Sequence, residues 1–190
     1  MDNAPAEPRT VILVEGPSDC TAVETLGRRL GRDLPGEGVA VVPMGGATNV
    51  RQFLERYGPH GLDVSVRGLC DVGEVRHFTR ALERTGFGSA LSARELEVLG
   101  FHVCHQDLED ELIRAVGVPG VERVLADQGE LGSFRVMQRQ PAQRARPSEQ
   151  QLRRFIACGS GRKRRYAGLL AEVLELSRVP RPLAALLAAV

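Results

Sequence analysis

Short apolar runs alternating with segments of helical spacing constrain this chain more than any other feature. VILV at 11–14 places four branched aliphatics in a row, which suits a strand buried on both faces, as in a parallel sheet. Gly16-Pro17 breaks that strand. Ala22, Val23, Leu26 and Leu30 then recur at helical spacing, with Ser18 or Asp19 placed to cap the helix. VAVVP at 39–43 reads as a second strand, and GGATN at 45–49 turns into a helix bearing Val50, Phe53, Leu54 and Tyr57. VSVRGLCD at 64–71 is a third strand, followed by a helix over 74–85 with Val75, Phe78, Ala81 and Leu82 inward. Residues 88–98 form an inserted helix or loop with Leu91, Leu96 and Val98 as its apolar members. A fourth strand at 98–106 and a helix at 107–117 follow. The alternation predicts βαβ units in an α/β fold, with a mostly parallel four-stranded sheet flanked by helices.

From about residue 118 the pattern turns helical, with segments near 118–127, 148–157, 160–176 and 181–189. QPAQRARP at 140–147 has the polar, proline-flanked character of a surface loop, and Pro180 and Pro182 separate the last two helices. The expected organisation is a tail over 1–9, an α/β domain over 10–117 and a helical extension over 118–190, with a basic segment at 135–165. No apolar run approaches the roughly 20 residues of a membrane span, and the start MDNAPAEPR is not a signal peptide. Four scattered cysteines without a CxxC pair fit reduced thiols, so a cytoplasmic protein without membrane contact is expected. In HVCH at 102–105, strand alternation puts His102 and Cys104 on one face and His105 on the other, which disfavours zinc. GxxxxGK[ST] is absent, so the chain carries no P-loop ATPase of its own.

The net charge of +1 conceals a division. Residues 1–134 hold 13 Arg against 21 Asp or Glu, whereas residues 135–165 hold 10 basic residues against Glu149 alone. Acids also collect where strands end: Glu15 and Asp19 after the first, Asp71 and Glu74 after the third, Asp107 and Glu109 after the fourth. In a parallel sheet these ends share one edge, where α/β folds place their ligands. Carboxylates so close persist only if protonated or bound to cations, and hard oxygen donors favour Mg²⁺ or Mn²⁺. The structural alternatives are a salt bridge at Glu15, a cap at Asp19, and a basic segment that simply docks on the acidic domain.

Periodicity ranks the acids of DLEDEL. Leu108, Leu112, Ala115 and Val116 define the buried stripe, and Glu109 borders it. Asp110 and Glu111 point away on an expected solvated face, each able to pair with Arg114. Lys163 is the sole lysine among 25 basic residues, a compact point charge suited to a phosphate. Gly159-Ser160-Gly161 before it offers a flexible approach with free N–H groups.

Glu15-Gly16 after an apolar strand, Gly45-Gly46 with Asn49, the acids at 71–74 and the later DLEDEL together resemble the Toprim domain. More narrowly, they resemble the Toprim portion of the overcoming-lysogenization-defect (OLD) family nucleases, over roughly residues 10–117, and GRK at 161–163 is similar to that family's lysine motif. The resemblance implies a stand-alone Toprim nuclease cleaving DNA with two Mg²⁺ or Mn²⁺ ions. It assigns Glu15, Asp19, Asp71, Glu74, Asp107 and Glu109 as metal ligands, and Glu15, Asp71 and Lys163 as catalytic. Arg153, Arg154, Arg162, Lys163, Arg164 and Arg165 are the expected nucleic-acid contacts. The family's usual ATPase would come from a separate protein. One departure stands out: Gly73 occupies the second acidic position of the family's Asp-x-Asp, with Glu74 one residue further on. The alternatives are a degenerate module that binds nucleic acid or an ATPase without cutting, and another phosphoryl-transfer enzyme such as a nucleotidyl transferase or RNA-processing nuclease.

Overall fold

A computed structural model describes residues 7–159 and 161–190. Its centre is a sheet of four parallel strands: β1 (Thr10–Val14), β2 (Val39–Pro43), β3 (Ser65–Asp71) and β4 (Phe101–Cys104), in the order β2-β1-β3-β4. All four buried residues of the VILV run lose their entire exposure, because each sheet face is covered. Val11 and Leu13 face α2 (Val50–Tyr57), α3 (Val75–Arg84) and α4 (Ala93–Val98). Ile12 and Val14 belong to the opposite core, built from α1 (Pro17–Arg29), α5 (Leu108–Val116) and the helices that follow. Those are α6 (Val118–Asp127), α7 (Leu131–Gln138), α8 (Ser148–Ala157), α9 (Arg162–Val173) and α10 (Arg181–Ala188). One continuous apolar cluster runs from β1 through all of them, so the helical part packs directly on the sheet-flanking layer.

Several expectations are corrected at the element ends. Helix α1 begins at Pro17 with Gly16 as its cap residue, and the Asp19 carboxylate at the third position accepts the Gly16 N–H at 2.9 Å. Proline suits the first helical position because its missing N–H has no partner there anyway. Leu30 falls past the last helical residue and is exposed, and Val98 faces solvent at the end of the short α4. Strand β4 is shorter than expected because Gly100, at φ +84°, turns the chain just before it. Helix α7 has no counterpart in the sequence reading. All four cysteines are unpaired.

At Gly68 of β3, paired with Leu13 and Phe101, the backbone needs a missing side chain. A Cβ there would lie 2.9 Å from both the Leu13 carbonyl oxygen and the Phe101 ring. Gly68→Ala is expected to destabilise the protein by about 1–3 kcal/mol through overpacking, lowering the urea midpoint with an unchanged slope.

Candidate metal centre

Strand order decides where a ligand can sit. The chain leaves β1 toward β2 and returns to β3 on the other side of β1, which makes the β1/β3 boundary a topological switch point. Glu15 follows directly on β1, and Asp71 is the last residue of β3, on the two sides of that boundary. Asp71 is paired in register with Cys104, the last residue of β4, and Asp107 and Glu109 follow at the start of α5. The β2–α2 turn is tied to the same edge by Gly46 N–H, which donates to the Glu15 carbonyl at 3.0 Å. Gly45 and Gly46, at φ +72° and +126°, adopt backbone that side chains disfavour. The Asn49 amide fixes the turn by donating to the Met44 and Gly45 carbonyls.

The carboxylates feel one another. Burial pushes Asp71 up to about 8, and the charges of Glu15, Asp107, Asp19 and Glu109 add to the rise. Glu109 is only 2% exposed, and burial pushes it up to about 7 against the pull of Lys163. Asp19 is also raised, chiefly by burial, although the Gly16 N–H and Lys163 oppose it. These five acids therefore form one electrostatic unit. Glu74 stands apart from it, in the turn Val72–Glu74, with His77 Nε2 at 3.7 Å as its near partner.

Cations from the helical part reach this edge. Lys163 Nζ lies 3.1 Å from Glu109 Oε2 as an ion pair, and Glu109 Oε1 is enclosed without a donor. Burial lowers the Lys163 pKa, but Glu109, Asp19 and Asp107 more than reverse this, so it stays charged. Asp107 caps α5, its Oδ1 accepting the Asp110 N–H at 2.8 Å, while Arg153 Nε donates to Oδ2 at 2.7 Å. Beside them opens a cleft of about 580 Å³ lined by Asp107, Glu109, Arg146, Arg153, Arg154 and Lys163, among others. The remaining arginines are disposed differently. Arg162 and Arg165 both pair with Glu130, Arg162 stacks on Phe155 with its guanidinium 4.4 Å from the ring centre, and Arg164 donates to Thr21 Oγ1.

Asp110 and Glu111 correct the sequence reading. Both pair with Arg114 as expected, but they are buried at 8% and 7% exposure rather than solvated. Helices α8 and α9 pack against α5, and Glu111 Oε1 accepts the His105 N–H at 2.9 Å. Arg146, inside the basic segment 135–165 but not among the six residues named as nucleic-acid contacts, also lines the cleft. Ser160 of the Gly159-Ser160-Gly161 approach lies outside the described residues.

The donor set suits a hard divalent cation: carboxylate oxygens, converging charge, and a deeply buried Glu109 oxygen without a donor. No three His, Cys, Asp or Glu side chains among the described residues form a ready-made cage.

A parallel sheet in this order, with acids clustered across its β1/β3 switch point and after β4, defines a Toprim fold. Residues 9–72 match the family model described as "Overcoming lysogenization defect protein-like, TOPRIM domain". The chain is similar to the C-terminal region of the OLD protein of Xanthomonas campestris pv. campestris, at 26% identity and a TM-score of 0.76. That likeness covers 95% of this chain and 91% of the other. The C-terminal region of the Burkholderia pseudomallei OLD protein shares the fold at 21% identity and a TM-score of 0.72, covering 95% of this chain and 96% of that one. No curated protein is significantly similar. Among the described residues, no helix is long and apolar enough to cross a membrane.

The raised carboxylates set the sign of a pH effect. Asp71 prefers to be protonated in the folded state, so its contribution is most favourable below its ordinary value of 3.8 and is lost as pH rises through about 8. In EDTA, melting temperature should fall over that window more steeply for the wild type than for Asp71→Asn. Mg²⁺ should offset the loss at the alkaline end of a thermal-denaturation series in the wild type only.

Proposed function

We propose that the protein is a divalent-metal-dependent nuclease that hydrolyses DNA phosphodiesters by the OLD-type Toprim chemistry. The observation that carries this reading is the unit of Glu15, Asp19, Asp71, Asp107 and Glu109 beside a cleft lined by Arg146, Arg153, Arg154 and Lys163. Acids suited to cations thus adjoin bases suited to a phosphate backbone.

In this reading Glu15 and Asp71 would hold one Mg²⁺ or Mn²⁺, with Glu74 as a third ligand only if the Val72–Glu74 turn brings it in, and Asp19, Asp107 and Glu109 would hold a second. Such ions activate a water molecule and stabilise the leaving oxygen of a phosphodiester. The protein's own groups bind and orient the strand. Arg146, Arg153 and Arg154 neutralise backbone phosphates, and Lys163 supplies an ammonium group to the charge that develops on the scissile phosphoryl oxygens. Arg162 and Arg165, engaged by Glu130, shape the start of α9 and so set where Lys163 projects. Arg164 remains a peripheral backbone contact. A separate ATPase is the proposed partner for loading.

Cleavage of plasmid and single-stranded DNA with Mg²⁺ or Mn²⁺ tests the reading. Glu15→Ala or Asp71→Ala should abolish cutting, and Lys163→Ala should slow it about 10²–10³-fold, the range for losing one charge-stabilising donor. Inactivity of the wild type, or full activity of both acid variants, would refute it. RNA and nucleotide substrates in the same metal buffer separate the RNA-processing and nucleotidyl-transfer alternatives.

Gly73 favours a second reading, a module that binds nucleic acid or an ATPase without cutting. A Cβ at Gly73 would meet nothing within 4 Å, so an acid fits there sterically. If this second reading holds, Gly73→Asp should gain metal-dependent cleavage that the wild type lacks. If the first holds, both should cut.

A further inference from the structure

The two halves of the acidic edge are not equivalent. Among the described residues, Glu15 and Asp71 have no cation at ion-pair distance, whereas Asp107, which caps α5, and Glu109 in its first turn are held by basic side chains. Arg153 covers Asp107 Oδ2 with two of its nitrogens while a third donates to Gln106 Oε1 at 3.0 Å. Oδ1 accepts the cap bond of α5, so both Asp107 oxygens are already engaged.

The cation that covers Asp107 is also the one best placed to meet a substrate. Arg153 lines the cleft with Arg146, Arg154 and Lys163, and its side chain remains 40% exposed. A guanidinium binds a phosphate as readily as a carboxylate, through the same pair of parallel donors. A backbone phosphate entering the cleft is therefore a direct competitor for it.

We propose that Arg153 is a positioning residue which couples nucleic-acid binding to completion of the metal centre. Without nucleic acid it occupies Asp107. A phosphodiester in the cleft takes it over and leaves the Asp107 carboxylate free for a second divalent ion. One negative charge thus replaces another on the guanidinium, and one cation replaces another on Asp107. The inference rests on the metal-dependent reading above. By linkage, the factor by which the strand raises metal affinity must equal the factor by which metal raises strand affinity.

The test is calorimetric titration of the full chain with Mn²⁺, alone and with a short phosphorothioate oligonucleotide that resists cutting. The wild type alone should take one ion. With the oligonucleotide it should take two, the second tightened about 5–150-fold, the usual range of such coupling. Arg153→Gln, at a position on α8 whose side chain is 40% exposed, should take two ions without oligonucleotide and lose the coupling. Arg153→Lys should retain part of it. A purely structural role would lower the melting temperature of Arg153→Gln without changing its ion count, and that result would overturn the proposal. So would two ions in the wild type alone. Binding and cutting by a wild type whose ion count ignores the oligonucleotide would remove the coupling and leave the nuclease reading standing. No Mn²⁺ in any form would remove both.

Discussion

Like charges at one rim of a parallel sheet are the constraint around which this molecule is arranged. Burial raises Asp71, Asp19 and Glu109, and the charges of neighbouring carboxylates add to the rise. A sheet with its strands alone could not hold them in that state. The helical part supplies the counter-charge, and its position is set by packing rather than by the charges. Helix α9 lies close against α1, where a Cβ at Gly168 would come within 3.0 Å of Thr21. Arg28 pairs with Glu172, and Arg29 donates to the Ala171 carbonyl at 2.8 Å, which sets the two helices in register. Lys163 at the start of α9 is delivered to Glu109 by that contact.

Charge and burial therefore act in sequence. The apolar cluster that runs from Ile12 and Val14 to Leu170 and Leu186 fixes the helical layer on the sheet. That layer excludes water from Glu109 and so makes its charge costly. The cost is met in part by the ion pair with Lys163. An arrangement of this kind is stable enough to fold and still leaves the carboxylate available to a stronger cation.

The sheet and its acidic edge were legible because they depend on local signals. VILV and VAVVP are unbroken apolar runs, VSVRGLC is interrupted only by Ser65, Arg67 and Gly68, and acids follow directly on the first and third of these runs. What period and composition could not show was which helix covers which face. Asp110 and Glu111 lie off the apolar stripe of α5, yet both are buried and paired with Arg114. Helix α7 has one fully buried anchor, Phe134, and a glycine and a serine in its first turn, so its helical signal is faint. The basic segment was read either as a nucleic-acid contact or as a dock for the acidic domain. Its residues divide: Arg162 and Arg165 hold Glu130, while Arg146 and Arg154 line the open cleft. Only tertiary placement makes that distinction.

The single lysine has a chemical consequence of its own. Reagents selective for primary amines find only one side chain in this molecule, and it stands at the mouth of the cleft with about half its surface open. Acylation there would erase one positive charge beside Glu109 and leave every arginine untouched. A fluorophore carried on the same nitrogen would report on the cleft from within, with the α-amino group as the sole competing target.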